Sequence, residues 1–186
     1  MRAHALREYA SAVEALREPG CPVCTLLRNE QNRVLRDCPL PTTRLCNFHA
    51  WGIAAVGDTA HAARILLKLL ESGEGAPHGA EDDCMFCLLL RAKEQSVIRD
   101  LTSVRHQSAV VLWLKTRGSF CLVHGRRVRA KASLPMSALI TESDFRRRTE
   151  LKTALARLAA APAGSPHSGV LGQTAEYLVS QRGLPT

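Results

Sequence analysis

Aromatic side chains are scarce in this chain: Phe, Trp and Tyr together make up 4% of its 186 residues. β-Sandwiches and barrels populate their strands with aromatic and β-branched residues, so this scarcity argues against an all-β fold. Long apolar runs are lacking too. Ser108 to Leu114 is among the longest before Lys115 interrupts it, well short of the ~18 residues that a membrane-spanning helix needs. Arg7 and Glu8 break the apolar core that a signal peptide would require. Wholesale disorder is excluded by 46% hydrophobic and 23% charged residues, both near globular averages. The expectation is a soluble, cytoplasmic protein of one compact domain, with no membrane partner.

Cysteine, by contrast, is plentiful. Seven cysteines cannot all pair within one chain, and in a reducing compartment spaced cysteines serve as metal ligands or redox groups more often than as disulfides. Six of them fall in an internal repeat. Cys21-Pro22-Val23-Cys24-Thr25-Leu26-Leu27-Arg28 aligns with Cys84-Met85-Phe86-Cys87-Leu88-Leu89-Leu90-Arg91 at an offset of 63, and eight of the 17 positions from 21 to 37 are identical in the second copy. The echo resumes downstream, where Leu45-Cys46-Asn47-Phe48-His49 matches Phe120-Cys121-Leu122-Val123-His124 at an offset of 75. The second copy therefore holds twelve extra residues between its halves. Duplication of one helical unit accounts for the pattern, with copies at about 20–73 and 83–160.

Helical periodicity dominates throughout. Residues 3–18 place Leu6, Tyr9, Val13 and Leu16 on one face before Pro19-Gly20. Leu27 and Val34, like Leu90, Val97 and Leu101, form core-facing stripes over 25–37 and 88–102. Asp58 or Thr59 can cap a helix carrying Ala62, Leu66, Leu69 and Leu70. Further helices are predicted over 104–116 (Val104, Val111, Leu114) and 143–160 (Leu151, Leu155, Leu158). Residues 71–82, rich in glycine and acidic residues, read as an exposed connection. Residues 161–169 read as a linker by composition, and residues 170–186 as a tail with one short amphipathic helix. No segment predicts a strand. The fold class is all-α: a helical bundle of two duplicated, metal-clasped units within residues 1–160.

Each copy supplies Cys-x2-Cys followed by Cys-x2-His: Cys21, Cys24, Cys46 and His49 in the first, Cys84, Cys87, Cys121 and His124 in the second. Three cysteines and one histidine form a common structural zinc set. The two-residue gap lets both donors of a pair reach one ion, and every pair precedes a predicted helix, whose free N–H groups and dipole stabilise thiolate. Helix 25–37 carries the chain about 20 Å away from an ion at ~1.5 Å per residue. Residues 38–45 can return about 26 Å when extended. Closure within each copy is therefore feasible, and its lower contact order favours it. Exchange, with Cys21 and Cys24 meeting Cys121 and His124, is also open. Zinc is favoured over an iron–sulfur cluster because clusters are held mainly by four thiolates. A redox reading of Cys21-Pro22-Val23-Cys24 would expect a preceding strand, whereas a helix is predicted there.

With its Cys-Pro-x-Cys start and repeated Cys-x-x-His pairs, the chain resembles a family of uncharacterised bacterial helical proteins, a domain of unknown function. The likeness covers roughly residues 20–160 and rests on Cys21-Pro22-Val23-Cys24, Cys84-Met85-Phe86-Cys87, Cys46-Asn47-Phe48-His49 and Cys121-Leu122-Val123-His124. It implies a helical, metal-binding fold and carries no activity with it.

Four ligands close a tetrahedral ion to substrate, where catalytic zinc keeps one position open. His4, His61, His78, His106 and His167 show no acid–base spacing, and only His61 is near enough in sequence to compete with His49. Cys38 stands outside the repeat and reads as a small buried hydrophobe ahead of a reactive thiol. No enzyme is expected. Net charge is +8, and basic residues gather at Arg126, Arg127, Arg129 and Lys131 and again at Arg146, Arg147 and Arg148. Such clusters can neutralise phosphates, but recognition motifs and stacking aromatics are scarce. Weak nucleic-acid contact through Arg126, Arg127, Arg129 and Lys131 ranks third, after a zinc-stabilised module for a protein partner and an iron–sulfur redox protein or sensor.

Overall fold

The computed structural model describes residues 12–37, 45–56, 59–71, 84–116, 118–160 and 169–179. Among these the regular structure is entirely helical, in agreement with the all-α expectation. Eight α-helices follow one another: α1 (Pro22–Asp37), α2 (Asn47–Val56), α3 (Thr59–Glu71), α4 (Met85–Leu101), α5 (Gln107–Thr116), α6 (Leu122–Arg129), α7 (Leu134–Ala159) and α8 (Val170–Val179). None of the described helices is long and apolar enough to cross a membrane.

Two compact units result. One comprises the described residues of Leu27–Gln95, the other those of Tyr9–Leu26 and Ser96–Leu184. The division falls inside α1, after Leu26, and inside α4, after Gln95. The units thus differ from the sequence copies. Each joins the larger part of one copy to the Cys-x2-Cys segment of the other: Cys21 and Cys24 go with 96–160, while Cys84 and Cys87 go with 27–71.

In the first unit, Val34, Leu35, Leu45, Ile53, Ala62, Ile65 and Phe86 form a core that surrounds Cys46, Cys84 and Cys87. Here α2 packs on α3. Gly52 allows close packing, since a Cβ there would approach Leu35 Cδ1 to 3.2 Å.

In the second unit, α5 and α6 pack on α7, and α8 packs on both α6 and α7. Leu101, Val110, Leu114, Val128, Met136, Ile140 and Leu151 fill its interior. Trp113 meets Phe120 edge-on with ring centroids 5.0 Å apart, a favourable aromatic geometry. That indole occupies the space a side chain at Gly118 would need, so the turn leading into Cys121 requires glycine.

The predicted stripes Leu27/Val34 and Leu90/Val97/Leu101 are all buried. Three boundaries differ. Within the predicted helix 3–18, residues 12–18 form only a 3-10 turn over Glu14–Arg17; residues 3–11 lie outside the described residues. Gly20, at φ +96°, breaks the chain between this turn and α1, a conformation glycine adopts at least cost. Val104 sits in a second 3-10 turn, 87% exposed, rather than on a core stripe. Helix α7 begins at Leu134, not 143, because Ser133 and Pro135 start it and Met136, Ile140 and Ser143 extend its buried face by two turns. The predicted linker falls mostly on undescribed residues, whereas the predicted C-terminal helix is α8. It docks through Tyr177, whose hydroxyl donates to Asp144 Oδ1 and accepts from Arg148 Nε at 2.9 Å.

Candidate metal centres

All eight candidate ligands lie at helix starts, and all four pairs use the same local geometry. The carbonyls of Cys21, Cys46, Cys84 and Cys121 accept from the amides of Thr25, Ala50, Leu88 and Gly125, at 3.1, 3.0, 3.0 and 2.8 Å. The first donor of each pair is thus the residue whose carbonyl opens the helix, and the second lies three residues on in the first turn. One helical turn brings the two side chains to the same end. At α6 the Cys121 sulfur also accepts from the His124 amide at 3.5 Å, taking the place of an oxygen cap.

The pairs assemble into two four-residue clusters. Cys21 and Cys24 of α1 join Cys121 and His124 of α6; Cys46 and His49 of α2 join Cys84 and Cys87 of α4. In each cluster the four donor atoms lie within 4.8 Å of one another, and all four residues are buried. The expectation of closure within each copy is therefore corrected: the copies exchange partners, so that the first pair meets the fourth and the second meets the third. Short connections made within-copy closure cheap in entropy, but that term grows slowly with loop length. In the observed arrangement Phe86 is buried beside His49, ring centroids 5.3 Å apart, and both Cys-x2-Cys pairs are buried in the unit cores.

In the first cluster, the sulfurs of Cys24 and Cys121 are 3.7 Å apart, and His124 Nδ1 lies 3.7, 3.2 and 3.1 Å from Cys21, Cys24 and Cys121 Sγ. In the second, Cys46 and Cys87 are 3.7 Å apart, with His49 Nδ1 at 3.2, 3.4 and 3.4 Å from Cys46, Cys84 and Cys87. A disulfide would bring sulfurs to about 2.05 Å. A tetrahedral zinc ion with Zn–S bonds of ~2.3 Å holds its sulfurs about 3.8 Å apart and its sulfur–nitrogen pairs at about 3.6 Å. The donor sets therefore fit one metal ion each.

Electrostatics point the same way. In the first cluster, hydrogen bonds from Cys21 and Cys24, and then from His124, drive the Cys121 thiol far below its ordinary value. Burial, then the bonds and charge of its neighbours, pushes Cys21 well up. In the second, burial raises Cys84, but hydrogen bonding from His49 and the charge of that ring bring it down to about 6. Cys46 and Cys87 are raised, chiefly by burial. The first pocket thus favours a thiolate at Cys121 over one at Cys21, and the second accommodates one at Cys84 and resists Cys46 and Cys87. A bound cation reverses that resistance by supplying the missing positive charge.

Of the remaining sequence candidates, His106 pairs with Asp100 at 3.3 Å and belongs to neither cluster. Cys38, His4, His78, His167 and the His61 side chain lie outside the described residues. The sequence reading overlooked Phe86 as the residue that packs on a ligand ring, although a lone aromatic inside Cys-x2-Cys is a usable signal. It also overlooked the Asp144–Arg148–Tyr177 network, whose i, i+4 spacing on α7 is visible but whose third member lies 29 residues beyond Arg148. Comparison of the chain with protein-family models, curated proteins and solved structures finds no match.

Proposed function

We propose that this is a non-enzymatic zinc-binding protein in which two Cys3His sites pin helix starts together and so stabilise a helical interaction module. The supporting observation is the 3.7 Å sulfur–sulfur separation in both clusters, the edge length of a tetrahedral mononuclear zinc site. An iron–sulfur cluster distributes its thiolates over several irons and would spread the donors further apart. Six thiolates and two Zn²⁺ leave the chain at about +6 from its formal +8. Four protein donors complete each coordination shell, so the role is structural and not Lewis-acid catalysis. The same motifs resemble those of the uncharacterised bacterial helical family, and free thiols held for metal suit a reducing cytoplasm.

Metal analysis with an absorption spectrum, on protein purified anaerobically, tests this. Two zinc ions per chain and no visible absorption are expected. Iron with visible charge-transfer bands would replace zinc by the iron–sulfur reading.

A further inference from the structure

Beside the first cluster, α6 and α7 border a pocket of about 40 Å³, partly open to solvent and lined by Phe120, Ile140, Ser143, Asp144 and three arginines, Arg126, Arg129 and Arg148. At ~10–15 Å³ per water, that is room for roughly three waters or one small tetrahedral anion. Arg148 is already engaged, 2.9 Å from Asp144 Oδ2 and donating to the Tyr177 hydroxyl. Arg126 and Arg129, one turn apart on α6, have no carboxylate partner among the described residues; the hydrogen bond described for Arg129 is a 3.5 Å contact to Thr141 Oγ1. Asp144, the one acidic residue in the lining, is committed to Arg148 and Tyr177. Two exposed guanidinium groups without a carboxylate partner among the described residues thus border one pocket, whose remaining wall is part apolar (Phe120, Leu122, Ile140) and part polar (Ser143 and the Asp144–Arg148 pair).

We infer that this cavity is an oxyanion site that takes a phosphate dianion, free or as the terminal group of a monoester, between Arg126 and Arg129. Planar guanidinium forks match tetrahedral oxyanions, and bonds to ionised groups are about twice as strong as neutral ones. Two charges call for a dianion rather than a single carboxylate. An extended nucleic-acid backbone fits less well. Arg127 and Lys131 do not line the cavity, and the run at 146–148 is spent internally: Arg146 donates to Leu114 O at 2.8 Å, Arg147 contacts Glu150 and Gln173, and Arg148 contacts Asp144 and Tyr177. The site does not depend on which metal the clusters hold.

Calorimetric titration of the full, metal-loaded chain at constant ionic strength tests this, with orthophosphate, phenyl phosphate and a twelve-nucleotide single strand as probes. Saturable 1:1 binding of orthophosphate or phenyl phosphate is expected, weakened at least tenfold in Arg126→Gln/Arg129→Gln and less than twofold in Arg127→Gln. Tighter binding of phenyl phosphate would identify a monoester; tighter binding of orthophosphate, the free ion. The inference is overturned by no saturable binding of either, by equal losses in the Arg127 variant, or by an oligonucleotide complex that is the tighter one and is weakened by all three substitutions alike. Helical circular dichroism of each variant confirms that folding is intact.

Discussion

Cys24 and Cys121 stand 97 positions apart in the chain, yet their sulfurs lie 3.7 Å from one another. Each is a close neighbour of His124 Nδ1, at 3.2 and 3.1 Å. The pair joins the start of the first copy to the end of the second, so each candidate site draws on both halves of the duplication.

This pairing has a direct metal-counting consequence. Cys24→Ser and Cys121→Ser should each remove about one metal equivalent, and the double variant should remove no more than either alone, because both serve one ion. Cys24→Ser with Cys46→Ser should remove both. Inductively coupled plasma analysis reads this out. Loss of both ions from the Cys24/Cys121 double variant would restore within-copy closure.

Metal should also support the fold. Structural zinc contributes about 10–16 kcal/mol in small zinc-finger peptides, and both clusters sit within the cores of their units. Chelation at neutral pH should lower the thermal midpoint substantially, with readdition of zinc restoring it. An unchanged midpoint after verified metal removal would sink the structural role.

Phe86, 1% exposed, packs on the His49 ring. Phe86→Ala should cost about 3–5 kcal/mol, as large core truncations do, and should weaken metal retention at the second cluster more than at the first. Denaturant unfolding with competitive chelation separates the two effects. Equal retention at both clusters would show that Phe86 has no part in holding the ring.

The docking of α8 should be sensitive to alkali. Burial first, and then its hydrogen bond to Asp144, raise the Tyr177 phenol from 10.0 to about 12. A group raised in the folded state contributes stability that is complete below its unfolded value and disappears as pH climbs through the folded one. Hydrogen-exchange protection of α8 should therefore fall between pH 10 and about 12. Tyr177→Phe should cost about 1 kcal/mol, one hydrogen-bonded network member, and abolish that pH dependence. A variant retaining the same alkaline loss would assign it elsewhere.

Asp100 behaves in the opposite sense. Burial opposes its ionisation, but hydrogen bonds from Arg105 and the Ala12 amide, with the charge of His106, hold it below 3.8. Its contribution is present above the unfolded value and is lost as pH falls below it. Asp100→Asn should destabilise the protein modestly, about 1 kcal/mol at neutral pH, and the difference from wild type should vanish in strong acid. A difference that persists there would show the carboxylate charge to be irrelevant.

Much of this protein was determined locally, and sequence alone sufficed for that part. Helical spacing placed Leu27, Val34, Leu90, Val97 and Leu101 in the interior, where they are. The Cys-x2-Cys and Cys-x2-His gaps defined four two-donor helix starts, because one turn of helix brings residues three apart to the same side. The partnership of those starts could not be local. Duplication makes the two Cys-x2-His pairs chemically equivalent partners for either Cys-x2-Cys pair, and loop closure discriminates between them by only a small, slowly varying entropy. Tertiary packing decided it, through the core that Phe86 and Ile53 build around one cluster and through the α5–α6–α7 packing that presents Cys121 and His124 to α1. The same holds for the arginines. Sequence shows a basic run at 146–148, but only hydrogen-bond partners on α5, α7 and α8 decided that these charges are used internally and that Arg126 and Arg129 are left bordering a pocket.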